Sequence, residues 1–219
     1  MLADSPETPK TSVSALSVES SLSAETLRRR AIRLEYLTIA WNSAEAVIAL
    51  AAGWLAGSIA LVGFGFDSVI ETTAGVVLLW RLRQRGDLES LAESRALRIV
   101  GGTFFALAAY VSAESVRDLW MRHAPEESTV GIVLAAVSLV VMPLLAGAKR
   151  RVARALGSHA LAAEAMETWL CAYLSFALLL GLVLNAWRGW WWADPVAALA
   201  MVPLMLREGW ESVRGKHGD

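Results

Sequence analysis

The chain has a single cysteine, Cys171, in 219 residues. No intrachain disulfide framework can form, and the redox compartment stays open. There is no His-Glu-x-x-His stretch and no paired Ser/His arrangement, so an intramembrane enzyme is a poor fit. Net charge is -1, which selects neither an acidic nor a basic partner. No segment has the basic-aromatic layout of a nucleic-acid binder. The first residues, Met1 to about Ala24, are rich in Ser, Thr, Pro and acids. They lack the apolar core of a signal peptide and read as a disordered cytosolic tail.

What the chain has is apolar sequence in long runs. Hydrophobic residues make up 56% of it, above the share of an ordinary soluble domain. Six runs are long enough to cross a bilayer, near residues 34–55, 59–80, 96–117, 129–148, 160–186 and 190–210. Trp187 to Trp192, between the fifth and sixth, have the character of an interfacial aromatic belt. Basic residues set the orientation. Lys10, Arg28, Arg29, Arg30 and Arg33 precede the first span, and Arg81, Arg83, Arg85, Arg95 and Arg98 lie around the second connection. Lys149, Arg150, Arg151 and Arg154 lie around the fourth, and Arg207, Arg214 and Lys216 come at the end. Only Arg117, Arg122 and Arg188 fall on the other side. The positive-inside rule then places both termini in the cytosol.

Two segments one hundred residues apart resemble each other. Gly57-Ser58-Ile59-Ala60-Leu61 is followed by Asp67 and Glu71; Gly157-Ser158-His159-Ala160-Leu161 is followed by Glu167 and Cys171. In each, two metal-ligand residue types sit four apart, on one face of a helix. The topology makes the two segments antiparallel. Spans 1–3 and 4–6 are thus expected to form an inverted repeat with a site at midplane. The fold expected is an all-α membrane protein, six transmembrane helices in an inverted 3+3 bundle.

Asp67 and Glu71 lie roughly 12 and 18 Å into their span, near the middle of a ~30 Å core. An acid there is expensive and is seldom kept without a use. No Lys or Arg is expected inside any span to pair with these acids. Three carboxylates and a thiol suit a divalent cation: Zn²⁺ accepts both donor types, and carboxylates also suit Mn²⁺. Asp67, Glu71, Glu167 and Cys171 are therefore the candidate metal ligands. Cys171 alone would be read as a small apolar residue; its spacing from Glu167 is what nominates it. Glu164, one turn earlier, is either a further ligand on the way in or a helix-end acid facing water. Glu45, with Asn42 nearby in span 1, is a candidate proton relay or a residue supporting the ligands from behind. Glu114 is expected at the aqueous rim and His159 at the surface. Asp194 before Pro195 is expected to cap the sixth helix.

These residues resemble the cation diffusion facilitator (cation efflux) family. Ser58-x-Ala60-Leu61 with Asp67-Ser68-Val69-Ile70-Glu71 is similar to its Asp/His-x-x-x-Asp helix. Ser158-x-Ala160-Leu161-x-x-Glu164-x-x-Glu167-x-x-x-Cys171 is similar to its Ser-x-Ala-Leu-x-Ala-Asp-x-x-His-x-x-x-Asp, and Ala193-Asp194-Pro195 to the start of its sixth helix. The stretch Gly63 to Glu71, with Trp80-Arg81 after it, looks closer to a divergent branch of the family. The resemblance implies a homodimer exporting Zn²⁺ or a related ion (Mn²⁺, Co²⁺, Cd²⁺ or Fe²⁺) in exchange for protons, with no permanently bound cofactor. The six spans make the chain a multi-pass integral membrane protein, expected in the cell (inner) membrane if the source is bacterial. Two departures bear on the metal. Glu167 stands where the family usually has His, and Cys171 where it usually has Asp. The division expected is a tail over 1–27, the membrane domain over 28–212 and a short tail over 213–219, without the family's cytosolic metal-binding domain. The competing reading is a membrane metal-binding, sensor or partner protein that transports nothing.

Overall fold

The structure, a computed structural model, describes residues 10–83, 90–123 and 125–214. These residues form six helices: α1 (Lys10–Ala56), α2 (Ile59–Arg83), α3 (Ser90–Met121), α4 (Thr129–Leu156), α5 (His159–Arg188) and α6 (Ala193–Arg214). α1 starts at Lys10, inside the stretch read as a tail. Residues 1–9 and the connection 84–89 lie outside the described residues.

Four helical stretches are long and apolar enough to cross a membrane: Glu25–Ala56, Ile59–Trp80, Thr129–Leu156 and Leu161–Arg188. α3 and α6, also marked as spans by hydropathy, fall short of that among the described residues. α6 carries Arg207, Glu208 and Glu211 in its second half. The chain is an integral membrane protein of packed helices. Its outward faces carry exposed apolar side chains such as Val47, Leu55, Val140 and Leu144, as lipid-facing surfaces do.

The repeated Gly-Ser motif has a local physical cause. Gly57 and Gly157 have φ of +65° and +63°, the left-handed turn that ends a helix at little cost only for glycine. The serine after each glycine caps the next helix. Ser58 Oγ accepts from the Leu61 N–H at 3.1 Å, and Ser158 Oγ from the Leu161 N–H at 3.3 Å. Each corner thus answers exposed backbone groups at both helix ends within a few residues. The leucines that follow, Leu61 and Leu161, are fully buried.

The corners fold α1 against α2 and α4 against α5, while α3 packs on α6. Small residues permit the closest approaches. A methyl group on Gly101 of α3 would lie 2.7 Å from the Gly209 carbonyl of α6. The core is built from Leu61, Phe64, Met142, Leu178, Met201 and Met205, all nearly or fully buried. α1 meets α4, and α2 meets α5 and α6, across the middle of the bundle.

One end of the bundle gathers the end of α1, the start of α2, the loop before α4, the end of α5 and the start of α6. The Glu126 N–H donates to Ala56 O at 2.8 Å, and the Asn185 amide to Pro125 O at 3.0 Å. Asp194 corrects the sequence reading. Its buried carboxylate accepts from the Ser58 hydroxyl at 2.5 Å and from the Ala60 N–H at 3.3 Å. It therefore completes the N-terminus of α2, across the bundle, where orphan N–H groups and the positive end of the helix favour an anion. Asp194→Ala strands these buried donors and is expected to cost about 1–3 kcal/mol. Thermal unfolding of the detergent-purified protein should show this as a lower midpoint, with Asp194→Asn intermediate.

Candidate metal centre

The inward face of α1 is polar over its middle. Glu35, Thr38, Asn42 and Glu45 follow the helical spacing of three and four, and all are 0–1% exposed. α5 has a matching row of Glu164, Thr168, Cys171 and Ser175, all buried. α2 contributes Asp67, Ser68 and Glu71 between them. Acids thus line the centre of a bundle that is apolar outside.

Asp67, Glu71 and Cys171 come together. Each offers one ligand atom, all three atoms lie within 4.8 Å of one another, and all three residues are buried. That leaves about 2–3 Å from each donor to a shared centre, close to Zn–O and Zn–S bond lengths. They line a cavity of about 40 Å³ with Glu167, Phe104 of α3, and Leu204, Met205 and Glu208 of α6. A water needs about 10–15 Å³ by this measure, so an ion and one or two waters fit. Glu167 lines the cavity but falls outside the close group.

Glu71 is the decisive member. Both its oxygens are buried, and neither accepts a hydrogen bond from the described residues. Its polar neighbours are the Asn42 amide and the Cys171 thiol. A buried carboxylate with only these neutral neighbours beside it needs a compensating group, and an ion in this cavity would supply it.

The other acids are placed differently. Glu45 accepts from Ser68 at 2.9 Å and also from Ser138. It therefore ties α1 to α2 and α4, through the residue next to Asp67. Glu164 corrects the reading of a helix-end acid facing water. It is 5% exposed, and its Oε1 lies 3.4 Å from Lys149 Nζ. Lys149 itself overturns the expectation that no basic residue lies within the spans. α4 runs on to Leu156, and Lys149 is fully buried on its inner face, 3.2 Å from Glu35. Glu114 stands at the far end of α3, 2.7 Å from the half-exposed Arg117, as a rim residue would. The side chain of His159 lies outside the described residues.

Sequence reading missed Lys149, Glu35 and Glu208. Their signal was helical phase. Glu35 continues the row through Thr38, Asn42 and Glu45. Lys149 continues Ser138 and Met142, and Glu208 continues Met201 and Met205.

The model of the cation efflux transmembrane domain matches residues 36–215. The chain belongs to the cation diffusion facilitator (cation efflux) family. It is 25% identical over 158 residues to transmembrane protein 163 of Xenopus laevis, covering 72% of this chain and 56% of that protein. It is 25% identical over 206 residues to the cation-efflux pump FieF of Salmonella paratyphi A, covering 87% and 67%. It is 27% identical over 184 residues to FieF of Escherichia fergusonii, covering 77% and 60%. The chain therefore spans between about half and two thirds of the length of these relatives. The likeness to transmembrane protein 163 agrees with a divergent branch.

Metal binding at this cluster would have a distinct mutational pattern. Asp67→Asn, Glu71→Gln and Cys171→Ala are each expected to weaken Zn²⁺ binding to the purified protein about tenfold or more. Glu167→Gln is expected to weaken it less. Calorimetric titration of the four variants reads the order directly.

Proposed function

We propose that the chain is a divalent metal cation transporter that exports Zn²⁺-like ions from the cytosol in exchange for protons by alternating access. The observation that carries this is the buried Asp67–Glu71–Cys171 cluster, with both Glu71 oxygens unpaired, at the meeting of α2 and α5. Binding alone would not require the acids to be enclosed in a membrane bundle; carriage across the bundle does. In the inward-facing state Asp67, Glu71 and Cys171 hold the ion, and Glu167 receives it at the cavity wall. When the halves move and the ion leaves, protons replace its charge on the carboxylates.

The inverted-repeat reading draws support from the packing. The α1–α2 and α4–α5 hairpins turn on the same Gly-Ser corner, and α3 and α6, their counterparts, face each other. The distribution of basic residues supports cytosolic termini. The multi-pass reading rests on the apolar runs, four of which are helices long enough to span; a homodimer formed through the membrane helices rests on the family resemblance, and the cell (inner) membrane is the location if the source is bacterial.

The donor set bears on the metal. No imidazole is in the cluster, and a thiol is. Soft and borderline ions such as Cd²⁺ and Zn²⁺ are favoured over Mn²⁺ by sulfur. Proteoliposomes containing the full chain should move Zn²⁺ with an opposite proton flux, and Glu71→Gln should abolish both. Cys171→Asp should shift preference from Cd²⁺ toward Mn²⁺. Tight Zn²⁺ binding with no flux in wild type would instead make the chain a membrane metal-binding protein.

A further inference from the structure

Lys149 is a fully buried ammonium in the interior of a membrane bundle. Its Nζ lies 3.2 Å from Glu35 Oε2, 3.4 Å from Glu164 Oε1 and 3.4 Å from Thr168 Oγ1. An ammonium has three protons, and here three oxygens from α1 and α5 receive a side chain from α4. The other oxygen of Glu35 is buried and accepts no hydrogen bond from the described residues. This nest adjoins the metal centre. A Cβ on Gly75, one turn beyond Glu71 on α2, would lie 3.6 Å from Glu164 Oε1 and 3.7 Å from Glu35 Oε2. Glu71 is the next carboxylate within reach of the lysine's charge.

Without its lysine the nest would be two buried carboxylates and a hydroxyl converging on one point. That is an oxygen-donor set for a divalent cation, needing the oxygens to close by about 1 Å to reach metal bond lengths. The geometry points to Lys149 as a built-in cation. It fills a second cation position formed by Glu35, Glu164 and Thr168, limits the bundle to one divalent ion, and holds Glu164 through its Oε1. This rests on the reading that the cluster binds a divalent ion.

An ordinary structural ion pair would affect stability alone. A built-in cation also changes how many metal ions bind and how tightly. The test uses the full chain in detergent and four forms: wild type, Lys149→Met, Glu35→Gln/Glu164→Gln, and the triple variant Lys149→Met/Glu35→Gln/Glu164→Gln. Mn²⁺ bound per chain is measured by elemental analysis after gel filtration, and Zn²⁺ affinity by calorimetry. Lys149→Met is expected to bind one more Mn²⁺ than wild type, and the triple variant to lose it again. The double variant leaves an uncompensated ammonium beside the metal centre. It is expected to bind Zn²⁺ about tenfold more weakly, with the triple variant returning to within about threefold of wild type.

A folded Lys149→Met protein with the wild-type Mn²⁺ count would overturn the inference. Where Lys149→Met does not fold, the double and triple variants decide, and failure of the triple to recover Zn²⁺ affinity overturns it. Wild type that binds no Zn²⁺ would sink the transport reading instead. The extra Mn²⁺ in Lys149→Met would still stand or fall separately.

Discussion

Charge cannot be left alone in a medium without water, and the interior of this bundle is organised around that constraint. Its carboxylates outnumber its cations, so each must be answered locally. Asp194 is answered by a helix N-terminus, Glu45 by two hydroxyls, and Glu35 with Glu164 by one ammonium. Glu71 is the remainder. The Asn42 amide and the Cys171 thiol are its polar neighbours, no cation among the described residues is paired with it directly, and the cavity beside it has room for one.

This division explains why two acids on one helix can have unlike roles. Glu164 and Glu167 are three residues apart on α5, yet the first turns to Lys149 and the second lines the cavity. One turn of helix carries a salt-bridged acid and a cavity-lining acid side by side. Burial alone would not have told them apart.

Much of this was legible in the sequence. The starts of α2 and α4 fall where hydropathy placed them, since Ser58 and Ser128 are capping residues at the edges of apolar runs. Four-residue spacing nominates the pairs Asp67/Glu71 and Glu167/Cys171, because a helix turns such a pair to one side, and three of these four residues come together. Lys149 was hidden by a rule that serves well on average. Clustered with Arg150, Arg151 and Arg154, it counted as part of a cytosolic basic stretch. The helix continues through that stretch, and rotation about its axis takes one of four neighbouring cations inward. Asp194 was misassigned because an acid before proline has a good local use, and sequence gives no view of Ser58, 136 residues away.

The Asp194–Ser58 bond has a mechanical meaning. It fastens the start of α6 to the start of α2, so those two points travel together although the chain joins α6 to α5. The covalent link from α5 to this fastened point is the short stretch between Arg188 and Ala193. There Gly189 has φ of +63° and Trp190 stacks on Trp192 at 5.0 Å. In the proposed transport cycle, the tryptophan-rich link would act as a strap between the two hairpins, and its slack would set how far they can part.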